Sequence, residues 1–279
     1  MFEKIKIALR KNPFVVQTYR KVNNNWPSRT HIKKWYQRHR LERQNRLQGG
    51  VPFPKGELIF LVDGTDDAEW FLRSGRYGAQ SLRDILLKNG IQIENFHAIL
   101  DFGCGVGRVL RYWKNLRGPE IYGTDYNPKL IQWCQANIPF GKFQVNKLKE
   151  RLEYEDEKFD FIYALSVFTH MTEPQQFLWI NELSRVLKPD GYLFITTHGD
   201  HYLDYPGLSP EDQIHYREGE LVVLCADHEG SNQCAAFHPQ SYVRERMARN
   251  LSVIDFVPKG ATGNPHQDVY LLRKPPVST

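Results

Sequence analysis

At 279 residues the sequence is long enough for one large domain with a substantial core, and no linker divides it in two. No stretch of it approaches the roughly 20 uninterrupted apolar residues of a membrane-spanning helix, and charges stand where a signal peptide would carry its apolar region, so the chain is expected in the cytoplasm. The net charge of +5 hides an asymmetry: residues 1 to 48 hold thirteen Lys and Arg against Glu3 and Glu42, a net of +11 that leaves −6 for the remainder. A basic arm on an acidic body suits peripheral contact with an anionic membrane, a polyanion or an acidic protein, and equally a solvated, partly helical leader. Cys104, Cys134, Cys225 and Cys234 form no Cys-x-x-Cys pair, so reduced thiols are expected.

In chain order, the leader breaks at Asn12-Pro13 and again at Asn23 to Pro27, then turns helical from Thr30 to about Leu47 before Gly49-Gly50. Val51-Pro52-Phe53-Pro54 reads as an extended linker. An acidic start at Asp66-Asp67-Ala68-Glu69 and an apolar stripe through Trp70, Phe71, Leu72, Tyr77, Leu82, Ile85 and Leu86 predict helices over roughly residues 66 to 89. Strands and helices then alternate: strand Ala98 to Phe102, helix Arg108 to Asn115, strand Glu120 to Thr124, helix Pro128 to Asn137, strand Lys142 to Val145 and strand Phe159 to Leu165. A helix opened by Thr172-Glu173-Pro174-Gln175 runs to Leu187, with Thr172 and Gln175 fitting a capping box. Lys188-Pro189-Asp190-Gly191 reads as a turn feeding strand Tyr192 to Thr197.

Past Thr197 a helix is expected near Pro210 to Arg217. Leu221 to Ala226 and Gln233 to Phe237 then flank Glu229-Gly230-Ser231-Asn232 as an inserted β-hairpin, about residues 220 to 237. A helix from Pro239 to Arg249 and strands Ser252 to Val257 and Val269 to Arg273 close the pattern. The rhythm is that of a doubly wound α/β sheet. The organisation expected is a basic leader and linker over residues 1 to 55 and a catalytic domain over 56 to 279.

Between the first strand and the segment after it lies Asp101-Phe102-Gly103-Cys104-Gly105-Val106-Gly107. Glycines between strand and helix let backbone approach a ligand closely and aim N–H groups at it. The spacing is Gly-x-Gly-x-Gly, not the Gly-x-Gly-x-x-Gly of pyrophosphate binders, and Asp101 would repel a pyrophosphate yet suit a sulfonium with an ammonium. That favours S-adenosylmethionine over a dinucleotide. Asp125, ending the next strand, stands where an acid would hold both ribose hydroxyls, and Tyr126 and Asn127 where an adenine would be covered.

This combination resembles the class I S-adenosylmethionine-dependent methyltransferases of the small-molecule and glycan-tailoring type. The likeness continues in Phe159 to Met171, similar to the family's fourth strand and its exit, which implies Ser166 in that exit as a cofactor-binding residue. It continues again in Leu183 to Leu193, similar to its helix, turn and fifth strand. It covers residues 97 to 198 well and the chain to about 273 more weakly. The resemblance implies a Rossmann-like seven-stranded sheet, S-adenosylmethionine as cofactor, and a helical lid carried by Leu61 to Thr65 and on through Ser74-Gly75. Asn146 stands where many relatives place Asp to accept from the adenine amino group, and its carbonyl can do the same.

Methyl transfer requires alignment of acceptor and methyl and exclusion of water, with a base when the acceptor is a hydroxyl. His198, after the fifth strand and near Asp200 and His201, is the first candidate base. His170, after the fourth, is the second, and fits equally a pocket or helix-entry role. Trp70, Phe71 and Tyr242 could form a substrate wall or simply pack, and His238 before Pro239 could contact substrate. Cys225, His228, Cys234 and His238 only superficially resemble a zinc site, and no metal is expected. The function expected is O-methylation of a small molecule or sugar hydroxyl. An amine acceptor, a nucleic-acid methyltransferase, a NAD-dependent oxidoreductase and a non-catalytic cofactor-binding module are the alternatives. Nucleic acid is disfavoured by the acidic body and the lack of an Asn/Asp-Pro-Pro-aromatic motif.

Overall fold

Five consecutive residues of Ala98–Phe102 are buried, which is what a central parallel strand covered on both faces requires, and this strand, β1, is the axis of the molecule. The structure, a computed structural model, describes residues 29–47, 50–149, 151–264 and 266–276, so the leader breaks near Asn12 and Asn23 lie outside the described residues. With β2 (Glu120–Asp125), β3 (Gly141–Val145), β4 (Phe159–Ala164), β5 (Leu187–Thr197), β8 (Ser252–Ala261) and β9 (Gln267–Arg273), β1 forms a seven-stranded sheet ordered β3-β2-β1-β4-β5-β9-β8. The first five strands are mutually parallel, Leu100 lying opposite both Tyr122 and Ile162. β9 runs antiparallel to them, Ile195 facing Tyr270, and β8 pairs antiparallel with β9. β6 (Val222–Leu224) and β7 (Ala235–Phe237) make the separate hairpin expected from the sequence. The strand order reverses at β1 and β4, and a ligand crevice belongs at the carboxyl ends of strands flanking such a point.

The helices are α1 (Arg29–Leu47), α2 (Gly56–Asp63), α3 (Ala68–Lys88), α4 (Pro128–Asn137), α5 (Glu173–Val186), α6 (Pro210–Arg217) and a short α7 (Gln240–Tyr242) continued by a π turn to Met247. Asp67 caps α3 by accepting from the backbone N–H groups of Glu69 and Trp70 at 2.9 and 3.1 Å. Trp179, Leu183 and Val186 of α5 pack on one face of the sheet, Leu82, Ile85 and Leu86 of α3 on the other. A smaller cluster, Ile59, Phe71, Val106 and Leu130, glues α2 to the glycine segment. Among the described residues no helix is long and apolar enough to cross a membrane.

Four local expectations are corrected. Arg108 to Asn115 forms turns and one 3-10 stretch, Leu110–Trp113, in place of an α-helix. Gly107 at φ +65° and Gly118 at φ +110° bound a segment too short to propagate a helix, and Arg111 is drawn to the Pro52 carbonyl. Lys188 to Gly191 does not leave the sheet: Asp190, at φ +63°, donates its N–H to the Lys274 carbonyl, so β5 bulges and continues. The Thr172–Gln175 capping box is absent, because the Thr172 hydroxyl bonds Glu229 and Gln175 Nε2 donates to the Leu148 carbonyl. The helix expected from Pro239 to Arg249 is reduced to α7 and its π turn, where the Ala248 N–H reaches back five residues to the Val243 carbonyl.

Candidate active site

A cavity of about 560 Å³ opens over the carboxyl ends of β1, β2 and β4. Its floor is the glycine segment. Gly103 and Gly105 adopt φ of +76° and +55°, and a Cβ on them would stand 2.5 Å from Val167 Cγ2 and 2.7 Å from Val62 Cγ2. The Gly103 and Cys104 N–H groups both donate to the Thr124 carbonyl, tying the turn to β2. Asp125 completes the tie, its two carboxylate oxygens accepting from Gly105 N and Asn127 N, each at 2.9 Å.

Asp101, Gly103, Gly105, Asp125, Tyr126, Asn127, Asn146, Ser166 and His170, all expected at the site, line this one cavity. Gly107 does not; its backbone packs beneath, where a Cβ would meet Ile138 Cδ1 at 2.5 Å. The Asn127 side chain is committed to capping α4 by accepting from Lys129 N at 3.1 Å. Asn146 Oδ1 accepts from the Thr124 hydroxyl at 2.8 Å, which fixes the amide at the cavity edge.

The electrostatics of this wall are anionic. Asp101 is buried and bonded by one group, the Tyr163 hydroxyl at 2.9 Å, and burial lifts its carboxyl to a pKa of about 7. Burial also raises Asp125, against the two backbone N–H groups that hold it down. Arg108 is the only Lys or Arg among the lining residues, and it is already engaged by Asp63 at 3.4 Å, the Gly263 carbonyl and Asn264 Oδ1. A buried carboxylate without a cation is complementary to a ligand that brings an ammonium and a sulfonium, and the strained glycine cradle leaves that ligand room beside the backbone. The residues therefore fit S-adenosylmethionine.

The histidines divide differently from expectation. His170 lines the cavity; its Nδ1 lies 2.8 Å from the Cys234 carbonyl, which can only accept, so Nδ1 carries the proton and Nε2 is left as an acceptor. Burial lowers its pKa. His198 is not among the lining residues. Its Nδ1 faces the Ala236 carbonyl at 3.2 Å, its Nε2 lies 3.4 Å from Gln267 Nε2, and burial followed by the nearby His170 pushes its pKa down to about 3. An imidazole so depressed and already engaged is a poor proton acceptor, which corrects its rank as first candidate base.

The expected substrate contacts are corrected as well. Phe71 is fully buried beside Ile59 and Val106, and Tyr242 sits in the core with Phe177 nearby. His238 is sealed from solvent, with Nε2 3.2 Å from Gln176 Oε1 and its pKa pushed to about 3 by burial. Trp70 is half-buried on α3 under Arg73 and away from the lining. Cys225 is exposed while Cys234 is buried, and among the described residues no three His, Cys, Asp or Glu side chains gather as metal ligands.

Gln267 is the residue sequence reasoning missed. Its Oε1 accepts from the Thr196 hydroxyl at 2.7 Å, and its Nε2 donates to Ser166 Oγ at 2.8 Å, while Ser166 N donates to Thr196 Oγ1 at 2.7 Å. This closed network holds Ser166 at φ +56°, an uncommon backbone state for a residue with a side chain. No sequence signal marks it, since Gln267 opens β9 more than a hundred positions from Ser166. The hairpin loop also enters the wall through His228, Gly230, Ser231, Asn232 and Gln233, with Gly230 N donating to the His170 carbonyl at 2.8 Å.

Residues 100–195 match a family described as a methyltransferase domain. The chain is 29% identical over 120 residues to a mitochondrial ubiquinone biosynthesis O-methyltransferase of Dictyostelium discoideum, covering 38% of this chain and 37% of that protein. It is also 29% identical over 126 residues to the chloroplastic tocopherol O-methyltransferase of Arabidopsis thaliana, covering 42% and 35% respectively. The chain thus spans little more than a third of the length of these curated relatives. An S-adenosylmethionine-dependent methyltransferase structure from Mesorhizobium loti superposes with a TM-score of 0.52 at 14% identity, covering 71% of this chain and 100% of that one, a likeness of fold.

Proposed function

We propose that this chain, which carries a class I S-adenosylmethionine-dependent methyltransferase domain, transfers the methyl group to a hydroxyl of a small molecule or glycan. The observation that carries the reading is the juxtaposition of the strained Gly103–Gly105 cradle, buried Asp101 and doubly bonded Asp125 in one cavity at the strand reversal. The O-methyltransferase names of the two curated relatives support oxygen as the acceptor atom. Residues 1–55 as leader and 56–279 as catalytic domain, a cytoplasmic location consistent with four unpaired cysteines, and peripheral contact of the basic segment with anionic membrane belong to the same proposal.

Bound S-adenosylmethionine supplies a methyl carbon made electrophilic by its sulfonium. Asp101 would pair with the ligand's positive charge, and Asp125, which holds Gly105 and Asn127 in register, would accept from the ribose hydroxyls. Tyr126 covers the adenine from the exposed rim. His170 Nε2, left as an acceptor by the Cys234 carbonyl, would take the proton of an acceptor hydroxyl as its oxygen bonds the methyl carbon and the carbon–sulfur bond breaks, and Ser166, held by Gln267 and lining the same cavity, would orient that hydroxyl. His198 acts behind them, its Nε2 against Gln267.

Calorimetric titration with S-adenosylhomocysteine and, separately, with NAD tests the cofactor. Saturable binding of the first and none of the second is expected, and the reverse would overturn the proposal. Incubation with methyl-labelled S-adenosylmethionine and panels of phenolic, sugar and amine acceptors then tests the acceptor class. Transfer confined to amines would remove the hydroxyl reading.

A further inference from the structure

The rim of the cavity is apolar in a way that cofactor binding does not require. Phe60 and Leu61 of α2 line the cavity yet remain 57% and 47% exposed, and Tyr126 across the mouth is 42% exposed. α2 has the sequence Gly-Glu-Leu-Ile-Phe-Leu-Val-Asp, and only its Ile59 is fully enclosed. An eight-residue helix that buries one apolar position and presents two large ones to solvent at a cavity mouth has an outer face for something apolar.

Beside it runs α1, which carries Arg29, Lys33, Lys34, Arg38, Arg40, Arg43 and Arg46 against the single acid Glu42. Its inner side is spent on the body: Lys34 pairs with Asp66 at 2.8 Å, Gln37 bonds Glu69, and Arg38, steadied within the helix by Glu42 at 2.9 Å, bonds the Pro54 carbonyl that leads into α2. Tyr36, Arg40 and Arg43 are exposed. Lys55 caps the start of α2 and is also exposed. Glu57 and Asp66 share a shallow depression with Phe60, and Asp66 is paired with Lys34 while Asp63, at the end of α2, is paired with Arg108.

We propose that the α1–α2 face is a docking surface for an anionic lipid bilayer, with Arg40 and Arg43 at the headgroups and Phe60 and Leu61 entering the acyl boundary. The cavity then opens onto the membrane. Charge complementarity favours the bilayer: residues 1 to 48 carry +11, and Arg40 and Arg43 are exposed on α1, which suits an anionic surface. The exposed Phe60 and Leu61 distinguish a bilayer from a nucleic acid, which would leave them in water, whereas insertion of an apolar face beside basic residues is the interfacial mode of membrane helices. Docking stands without the methyltransferase reading. Its consequence, that the acceptor is a lipophilic hydroxyl compound drawn from the bilayer, rests on that reading.

Co-sedimentation of the full chain with phosphatidylcholine vesicles, with and without phosphatidylserine, tests the surface. Binding only to the anionic vesicles, weakening with salt, is expected. Arg40→Gln with Arg43→Gln should cost about fivefold in partition per arginine. Phe60→Ser with Leu61→Ser should cost roughly tenfold with an unchanged melting temperature. No preference for anionic vesicles, or partition unaffected by the Phe60 and Leu61 pair, would overturn the proposal. So would salt-sensitive binding of poly(U) that displaces the protein from vesicles and ignores that pair. Calorimetry with S-adenosylhomocysteine on the same preparation separates the two readings: cofactor binding without vesicle binding removes the docking surface alone.

Discussion

The glycine wall of the cavity and the histidine cluster that lies outside its lining bury ionisable groups for opposite ends. On the glycine wall, Asp101 and Asp125 are enclosed without an ion pair, the nearby Arg108 being engaged by Asp63, and burial pushes both carboxyls up, Asp101 to about 7. In the histidine cluster, His238 is fully enclosed and His198 partly so, and burial pushes both down to about 3, where they are neutral at every physiological pH. A buried carboxylate that ionises near neutrality is costly until a cation arrives, so the glycine wall is poised for a ligand. A buried neutral imidazole costs little once hydrogen-bonded, so His198 and His238 serve as scaffold, fastening β5 to the hairpin through the Ala236 and His198 carbonyls.

The largest expected effect tests the glycine wall. Asp125→Ala removes the acceptor shared by Gly105 N and Asn127 N and the ribose-binding carboxylate together. The loss should be roughly 2 to 4 kcal/mol, thirtyfold to several hundredfold in S-adenosylhomocysteine affinity by calorimetry. Affinity within about threefold of the parent would break the contrast, because it would mean that the carboxylate serves the loop alone.

The scaffold role of the histidines has its own signature. A histidine whose pKa falls from 6.5 to about 3 on folding cannot take a proton that the unfolded chain accepts, so its contribution to stability is lost as pH drops below 6.5. At pH 5 that loss is roughly 2 kcal/mol for each such residue. Asp101 works in the other direction: its pKa rises on folding, so its contribution falls as pH climbs from about 4 to 7. His238→Gln should therefore shrink the difference in urea-unfolding free energy between pH 7.5 and pH 5 by roughly 2 kcal/mol. An unaltered difference would show that His238 is protonated in the folded protein.

Why the glycine wall was legible in the sequence and the histidine cluster was not follows from the range of the interactions that build them. The Asp101–Gly107 turn is local: strand, positive-φ glycines and the acid ending the next strand are fixed by short-range sterics, and Asp125 lies 20 positions from the glycine it holds. The strands β1 to β5 and the helices α4 and α5 were legible for the same reason, whereas the segment after β1 was not a helix. His198, His238 and Tyr242 were misplaced because their surroundings come from afar: the hairpin supplies Ala236, β9 supplies Gln267 and α5 supplies Gln176. Residue type at a strand end indicates the crevice but not whether the side chain points into it. The failed capping box has the same origin, since Thr172 met Glu229 from the hairpin loop.

A smaller effect sharpens the contrast within the glycine wall. Because Asp101 ionises at about 7, affinity for S-adenosylhomocysteine, which carries an ammonium, should rise with pH and level off above that point. Between pH 6 and pH 8 the gain is about tenfold, and Asp101→Asn should flatten it. A flat profile in the parent protein would remove Asp101 as the partner of the ligand's charge.

The smallest effect concerns the one hydrogen bond that favours the charged form of Asp101. The Tyr163 hydroxyl donates to Asp101 Oδ2 at 2.9 Å and itself accepts from Trp113 Nε1 at 2.9 Å, so it relays an indole N–H to the carboxylate through the core. Tyr163→Phe keeps the ring between Trp113 and Phe161 but withdraws the donor. A carboxylate that loses a donor becomes harder to ionise, so the midpoint of the affinity profile should move up, by less than about one pH unit. Above pH 8, where Asp101 is ionised in both proteins, affinity should change by no more than about threefold. A downward shift would mean that the Tyr163 bond stabilises the protonated acid, and that the glycine wall, like the histidine cluster, rests neutral until the ligand enters.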